Sequence, residues 1–368
     1  MRKLLFTGPR QLALQDEPDE KLGPTCLRLE SLYSGISHGT EMNFYRGTAP
    51  HMACNIDGGL FQRRDQASSS YPIWHGYETV GRVIEAGPEV RDFAVGDIVW
   101  AGCGHADRIV CDTTVQGRPF FCERAPEKAD PRVGVFLALA GVALDGHLTA
   151  SLRLGESCLV SGLGVIGLFC VQLARLAGVG PIIGVDPIAR RRAKALEFGA
   201  HQVLDPREGP VAEQVRELNH GRGVDAAIET SGQWRALHEA IRCCASGYGR
   251  AVALGFYQGT GQELRLGEEF HHSSFYPMGA SSILALNCRR EPAPGRAWDR
   301  IRVYHQLAQM LGRGHLRTDG LLTHLVPFER AKEAFDLVDC QPEQVLKVAL
   351  TFEEHPAPRT TQPALPSS

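Results

Sequence analysis

The chain has 368 residues, 43% of them hydrophobic and 22% charged, the composition of a soluble globular protein large enough for two domains. A net charge of −3 and a sequence pI near 6.5 leave no basic field for a polyanion, and no Lys/Arg run suggests a nucleic-acid groove, so no nucleic acid partner is expected. The first six residues open like a secretory signal, but residues 7–11 end the apolar stretch, and no window is read as reaching the roughly 18 apolar residues of a membrane span; a cytoplasmic chain with no membrane partner is expected.

Residues 1–150 hold short β-type runs broken by Gly and Pro, for example 79–84 and 107–111, and read as a mainly β domain. From residue 151 apolar runs alternate with helical stretches, the pattern of a parallel sheet covered on both faces. Strands are predicted at 158–161, 181–185, 202–204, 226–229 and 250–254, and helices are clearest at 165–176 and 189–198. A helix at 298–311 follows, then the segment 321–327, an amphipathic stretch at 330–338 and a closing apolar run at 345–352. The predicted fold class is α/β, with domains at 1–150 and 151–289 and a partial return of 290–352 to the first. Four prolines and little apolar matter predict a disordered tail at 353–368. Eleven cysteines are scattered without any C-x-x-C pair and read as reduced thiols.

One segment carries chemistry by its spacing. Gly162-Leu163-Gly164-Val165-Ile166-Gly167 is a G-x-G-x-x-G placed between a predicted strand and a predicted helix. Gly162 permits a tight turn, Gly164 lets the backbone approach a pyrophosphate, and Gly167 lets the helix pack closely on the strand. The helix start then offers unpaired N–H groups to phosphate. Asp186 ends the next strand 19 positions after Gly167, close to the roughly 20 expected of an acid that binds the adenosine ribose. Its carboxylate repels a 2′-phosphate, so NAD is the expected cofactor in preference to NADP. Arg191, with Arg190 and Arg192, stands where it can grip a phosphate, although arginines on a helix face are commonly just solvated. The same turn also fits an S-adenosylmethionine site or a plain strand-to-helix turn, and Asp186 also fits a helix N-cap.

Further segments add to this turn: Pro72-Ile73-Trp74-His75-Gly76-Tyr77-Glu78, Gly81-Arg82-Val83, Val95-Gly96-Asp97-Ile98-Val99, Leu154-Gly155-Glu156-Ser157, and Thr323-His324 with Lys347-Val348. Together they resemble the medium-chain dehydrogenase/reductase superfamily over residues 1–352. The resemblance implies a GroES-like, mainly β catalytic domain, a Rossmann domain with a doubly wound parallel sheet, and a cleft between them. It also implies hydride transfer between nicotinamide and a small-molecule substrate, in a homodimer or homotetramer. The family's zinc-ligand places are altered, since Ser37, Tyr77 and Ala138 stand where a cysteine, a histidine and a Cys or Glu are expected. Cys103 and Cys111 are too few for the family's structural zinc lobe. Hydroxyl, phenol and methyl groups do not make a zinc site, so no metal is expected, the residual case being a rearranged site of His38, His75, Glu41 and Glu78. Ser34-Gly35-Ile36-Ser37, Gly39-Thr40-Glu41 and Gly76-Tyr77-Glu78 are most similar to the branch that includes bacteriochlorophyllide a dehydrogenase, but the stretch 48–70 does not match it and the pigment substrate is not carried over.

Without a metal, alcohol oxidation still needs a proton acceptor, and ketone reduction a donor that polarises the carbonyl. Ser37, His38, Thr40, His75, Tyr77 and Glu78 are the candidates. Thr40 resembles the family's proton-relaying Ser or Thr, and Ser37 or Tyr77 can donate to the substrate oxygen. His38 is the expected base, because a free imidazole near pKa 6.5 exchanges protons around neutrality. Packing alone also accounts for Tyr77, an exposed loop for His38, and a braced turn for Glu78. His75 beside Trp74 reads as structural, as does His324, and the adjacent pair His271 and His272 diverge on either a strand or a helix. The expected function is NAD-dependent hydride transfer to or from a secondary alcohol or ketone without catalytic zinc. The rivals are a zinc-free quinone or enone reductase, a zinc-dependent alcohol or polyol dehydrogenase, and a nucleotide sensor without catalysis. Substrate choice is left to the stretches 48–70 and 270–287, which no motif constrains.

Overall fold

The first strand, β1 (Arg2–Gly8), doubles back through a tight turn into β2 (Gln11–Asp16) and leads to β3 (Cys26–Ile36), the longest strand, whose last six residues are all buried. The computed structural model describes residues 1–49, 70–114, 121–257 and 299–352, the strand segments 54–57, 60–63 and 275–279, and positions 52 and 262. The expectations for His271 and His272, for the tail at 353–368 and for most of 48–70 and 270–287 fall outside these residues.

A helix of about two turns, α1 (Thr40–Arg46), follows β3 directly. Then come the hairpin β4 (Cys54–Asp57) and β5 (Leu60–Arg63), then β6 (Ile73–Trp74), β7 (Thr79–Ala86), β8 (Ile98–Ala101), β9 (Arg108–Asp112) and β10 (Cys122–Arg124). β3 is antiparallel to both β7 and β9, and β8 links β7 to β10. This is the mainly β domain that the short runs predict.

The second layer begins with a 3-10 turn (Pro131–Phe136) that passes into α2 (Leu137–Ala150). Residues 131–150 are long and apolar enough to cross a membrane, a stretch the sequence expectation did not find because Arg132 and Asp145 interrupt it. The segment is mostly buried within the protein. It is apolar all round because it packs on several elements at once, as core helices do.

Six strands then form one parallel sheet in the order β13-β12-β11-β14-β15-β16. They are β11 (Cys158–Ser161), β12 (Ile182–Val185), β13 (Gln202–Leu204), β14 (Ala226–Glu229), β15 (Gly249–Ala253) and β16 (Phe275–Gly279). The helices between them are α3 (Val165–Leu176), α4 (Ala189–Glu197), α5 (Val211–Leu218) and α6 (Trp234–Cys243). β11, β12 and β14 are buried at every position, as strands with helices on both faces must be. β12 starts one residue later than predicted, because Pro181 lends its carbonyl to Cys158 but has no N–H for the ladder. Strand order reverses between β11 and β14, and that reversal is where doubly wound sheets bind ligands.

After the sheet come α7 (Arg300–Gly312), β17 (Leu322–Pro327), α8 (Ala331–Cys340) and β18 (Lys347–Thr351). Asp299 accepts Arg302 N–H at 2.8 Å and sets the start of α7 slightly beyond the predicted one. β18 lies antiparallel to β3, with Val348 opposite Ile36, and parallel to β17. The last strand of the chain thus joins the first sheet beside the end of β3.

Candidate active site

The turn after β11 has the geometry its glycines predict. Gly162 sits at φ 87°, a conformation L side chains rarely adopt, and its N–H bonds Val185 O at 2.8 Å. A side chain on Gly167 would collide with the Gly162 carbonyl, whereas one on Gly164, the N-cap of α3, would meet nothing within 4 Å. The open space lies in front of the helix start, where a pyrophosphate needs it. Leu163 and Val165 turn their side chains into the core and Ile166 is half-buried, so these three contribute backbone to the turn.

Asp186 is 3% exposed, with Oδ2 accepting Leu163 N–H at 2.8 Å and Oδ1 accepting Ile188 N–H at 2.8 Å. Its carboxylate is therefore fixed against the glycine turn. Of the neighbouring arginines, Arg190 is exposed, whereas Arg191 and Arg192 are half-buried. Arg191 lies 3.7 Å from Asp186 and donates to Pro342 O at 2.9 Å, while its buried Nε has no hydrogen-bond partner. Arg192 bonds Asp186 O and Asp205, and Arg190 bonds Gln344 O. Across the strand reversal, Thr230 Oγ1 donates to Gly162 O at 2.8 Å, and the buried Glu229 accepts Ser231 N–H and the Tyr257 hydroxyl. No spacing pointed to Glu229, whose carboxyl burial pushes up. The open helix start, the fixed carboxylate and the unpartnered Arg191 Nε together fit a dinucleotide.

The second cluster grows from the end of β3. Ser37 is buried, and its Oγ accepts the Tyr77 hydroxyl at 2.5 Å. The Tyr77 side chain also bonds Thr40, so three of the predicted hydroxyls meet. Burial pushes the Tyr77 phenol far above its ordinary range, and it remains a protonated donor. His38 departs from expectation: burial first, then the charges of Lys347, Arg191 and Arg46, push its imidazole down to about 3. It is neutral near pH 7 and a poor base, and its buried Nε2 has no hydrogen-bond partner.

Glu78 is wholly buried and ion-paired with Lys347, whose Nζ also donates to Ile36 O at 2.9 Å. Burial pushes its carboxyl up to about 7 against the pull of that ammonium, and Oε1 is left without a partner. The brace predicted for Glu78 thus comes from a residue 269 positions away, which no local pattern could reveal. His75 packs its ring 4.7 Å from Phe44 and 5.8 Å from Tyr77. His324 lies on β17, two strands from β3.

The rearranged metal set does not assemble. Glu41 faces His105 and Ser37 N–H, and Glu78 faces Lys347. Among the described residues no group of three or more His, Cys, Asp or Glu side chains is placed to hold a metal ion. With Ala138 buried on α2 at the third place, the donor set does not fit zinc. The two clusters are neighbours, since the Arg191 charge reaches His38 and Arg190 and Arg191 hold the carbonyls of residues 342–345, just before Lys347.

Residues 49–160 match the alcohol dehydrogenase GroES-like domain, and residues 165–280 match the zinc-binding dehydrogenase domain. The chain is 31% identical over 360 residues to the D-guloside 3-dehydrogenase of Escherichia coli K12, covering 96% of this chain and 100% of that relative. A candidate zinc-binding dehydrogenase of Sinorhizobium meliloti 1021 bound to NADP superposes with a TM-score of 0.73 at 21% identity, covering 95% and 98% of the two chains. An alcohol dehydrogenase of Escherichia coli CFT073 complexed with NADH superposes with a TM-score of 0.72 at 20% identity, covering 96% and 99%. With its guloside relative matched from end to end, the chain belongs to the medium-chain dehydrogenase/reductase superfamily and is an oxidoreductase acting on small molecules with a nicotinamide cofactor.

Proposed function

We propose that the chain interconverts a secondary alcohol and its ketone with NAD and without a catalytic zinc ion. The observation that carries this reading is the Tyr77–Ser37 hydroxyl pair at 2.5 Å, set where zinc ligands are expected from the family resemblance. When bound, the nicotinamide supplies or accepts the hydride. Because Ser37 Oγ already receives the Tyr77 O–H, its own O–H is left to donate to the substrate oxygen. In reduction that donor polarises the carbonyl and gives its proton to the alkoxide left by hydride transfer, solvent restoring it; in oxidation the alcohol proton passes through the Ser37, Thr40 and Tyr77 hydroxyls to solvent water. His38, neutral and with Nε2 unpartnered, offers a hydrogen bond to the ligand rather than a store for the proton. Glu78 and Lys347 hold the end of β3 in place behind this set. The expected preference for NAD over NADP is supported by the Asp186 carboxylate held against the glycine turn, since a ribose-binding acid repels a 2′-phosphate. The similarity to a guloside 3-dehydrogenase supports a hydroxylated, sugar-like substrate.

An NAD-linked screen of secondary alcohols and ketones, sugar glycosides included, tests the proposal when run beside metal analysis of the purified protein. Turnover is expected with NAD, with no stoichiometric zinc. Ser37→Ala should lower kcat by about 10²-fold, the scale of a lost donor at a developing oxyanion, and Tyr77→Phe, which removes the hydroxyl that orients Ser37 Oγ, should lower kcat as well. Asp186→Ser should raise the KM for NAD by about tenfold and admit NADP. Unchanged cofactor preference in Asp186→Ser overturns the NAD assignment, and zinc-dependent turnover overturns the metal-free one.

A further inference from the structure

No motif singles out His105, yet it is the centre of a buried chain of hydrogen bonds that reaches the hydroxyl pair. The residue lies between β8 and β9, and its backbone is clamped on three sides. Its N–H donates to His75 O at 3.3 Å, and its carbonyl accepts Leu4 N–H at 3.0 Å and Trp74 Nε1–H at 3.1 Å. The ring is 0% exposed and lies edge-on to Phe335. Nδ1 stands 2.6 Å from Ser34 Oγ, and Nε2 stands 2.6 Å from Glu41 Oε1.

Glu41 is equally buried, and its second oxygen accepts Ser37 N–H at 2.7 Å. His105 and that N–H hold the Glu41 carboxyl below the usual range in spite of burial. An ionised carboxylate only accepts, so the proton of the short bond sits on Nε2. The chain therefore runs from Ser34 through His105 and Glu41 to the Ser37 backbone, and Ser37 Oγ receives Tyr77 O–H. One end is anchored to three strands, and the other sets the position of the hydroxyl pair.

We propose that His105 is a positioning residue: through Glu41 it holds the Ser37 backbone so that Ser37 Oγ and the Tyr77 hydroxyl keep their alignment. This rests on the assignment of Ser37 and Tyr77 to the reacting oxygen. His105 itself touches no substrate. A purely structural pair would instead support the fold and leave the alignment of the hydroxyls unaffected.

The test compares His105→Gln, whose amide can still donate to Glu41, with His105→Leu, which cannot, and adds Glu41→Gln. Each full-length variant is saturated with NAD and assayed on the best substrate of the screen for kcat, KM and Tm. His105→Leu should lose kcat by roughly 10²-fold, as misplaced catalytic groups do, with the KM for NAD unchanged, and His105→Gln should recover most of that loss. If His105→Leu does not fold, Glu41→Gln decides: a loss of roughly tenfold in kcat at wild-type KM supports the proposal. Imidazole-edited NMR of the ligand-free protein should show a far-downfield Nε2 proton that Glu41→Gln abolishes. Wild-type kcat in a folded His105→Leu or in Glu41→Gln overturns the proposal, as does equal loss in the Gln and Leu variants. Tyr77→Phe separates the two levels, since full activity in that variant sinks the reading on which the proposal rests. An inactive Tyr77→Phe beside a fully active Glu41→Gln sinks only the positioning chain.

Discussion

A histidine between glycines and a short helix is expected to titrate near neutrality, but burial, with the charges of Lys347, Arg191 and Arg46 behind it, pushes the His38 imidazole down to about 3. Between that value and the ordinary 6.5 the unfolded chain binds the proton more readily than the folded one, so stability rises with pH across this interval and is lost on acidification. The slope from this one group is at most about 1.4 kcal/mol per pH unit. Urea melts at pH 6.5, 5.5 and 4.5 should therefore show a shallower acid loss in His38→Gln than in the wild type, and parallel losses would show that His38 titrates normally. Asp186 behaves differently, because its place follows from the glycine turn 19 positions earlier. That is why it was legible in the sequence and the state of His38 was not.

At the scale of elements, the glycine turn divides stability from binding. Gly164 has a backbone open to any residue, and a methyl there meets only empty space. Gly164→Ala should therefore keep the wild-type Tm while weakening NAD binding, measured by calorimetric titration, because the new methyl stands where the pyrophosphate approaches. Gly167→Ala drives a methyl into the Gly162 carbonyl and should lower stability by about 1–3 kcal/mol. Equal effects of the two substitutions on Tm would contradict this division of labour. Strands and helices of the Rossmann half were readable because their periodicity is local: β11, β13, β14 and α3 stand where the apolar runs put them. The long apolar helix through α2 was missed because two isolated charges disguise it, and only its packing against several elements shows it to be a core helix.

Across the whole molecule, Lys347 near the C-terminus and Glu78 in the first domain close the chain on itself with both side chains at 0% exposure. Breaking one partner of a buried pair leaves the other charged and unsolvated, so Lys347→Met should destabilise by about 3–5 kcal/mol. Adding Glu78→Gln should recover part of that loss, and a double-mutant cycle in urea that shows simple additivity would mean the two groups are not coupled. The segment just before this strand carries a second tie, since Arg190 and Arg191 bind the carbonyls of Gln344 and Pro342 and so connect Asp186 to the cluster at Lys347.

What the chain's order of residues determined alone was the α/β class, the parallel sheet, the glycine turn and the place of Asp186 beside it. Each of these depends on neighbours within about one strand and one helix, where backbone geometry and apolar periodicity decide the outcome. The tertiary structure decided which titratable groups are charged, which carboxylate pairs with His105 and which with Lys347, and that Ser37, Thr40 and Tyr77 meet. Burial and Coulomb forces act between side chains as many as 329 positions apart, and their strength is set by the solvent that folding removes.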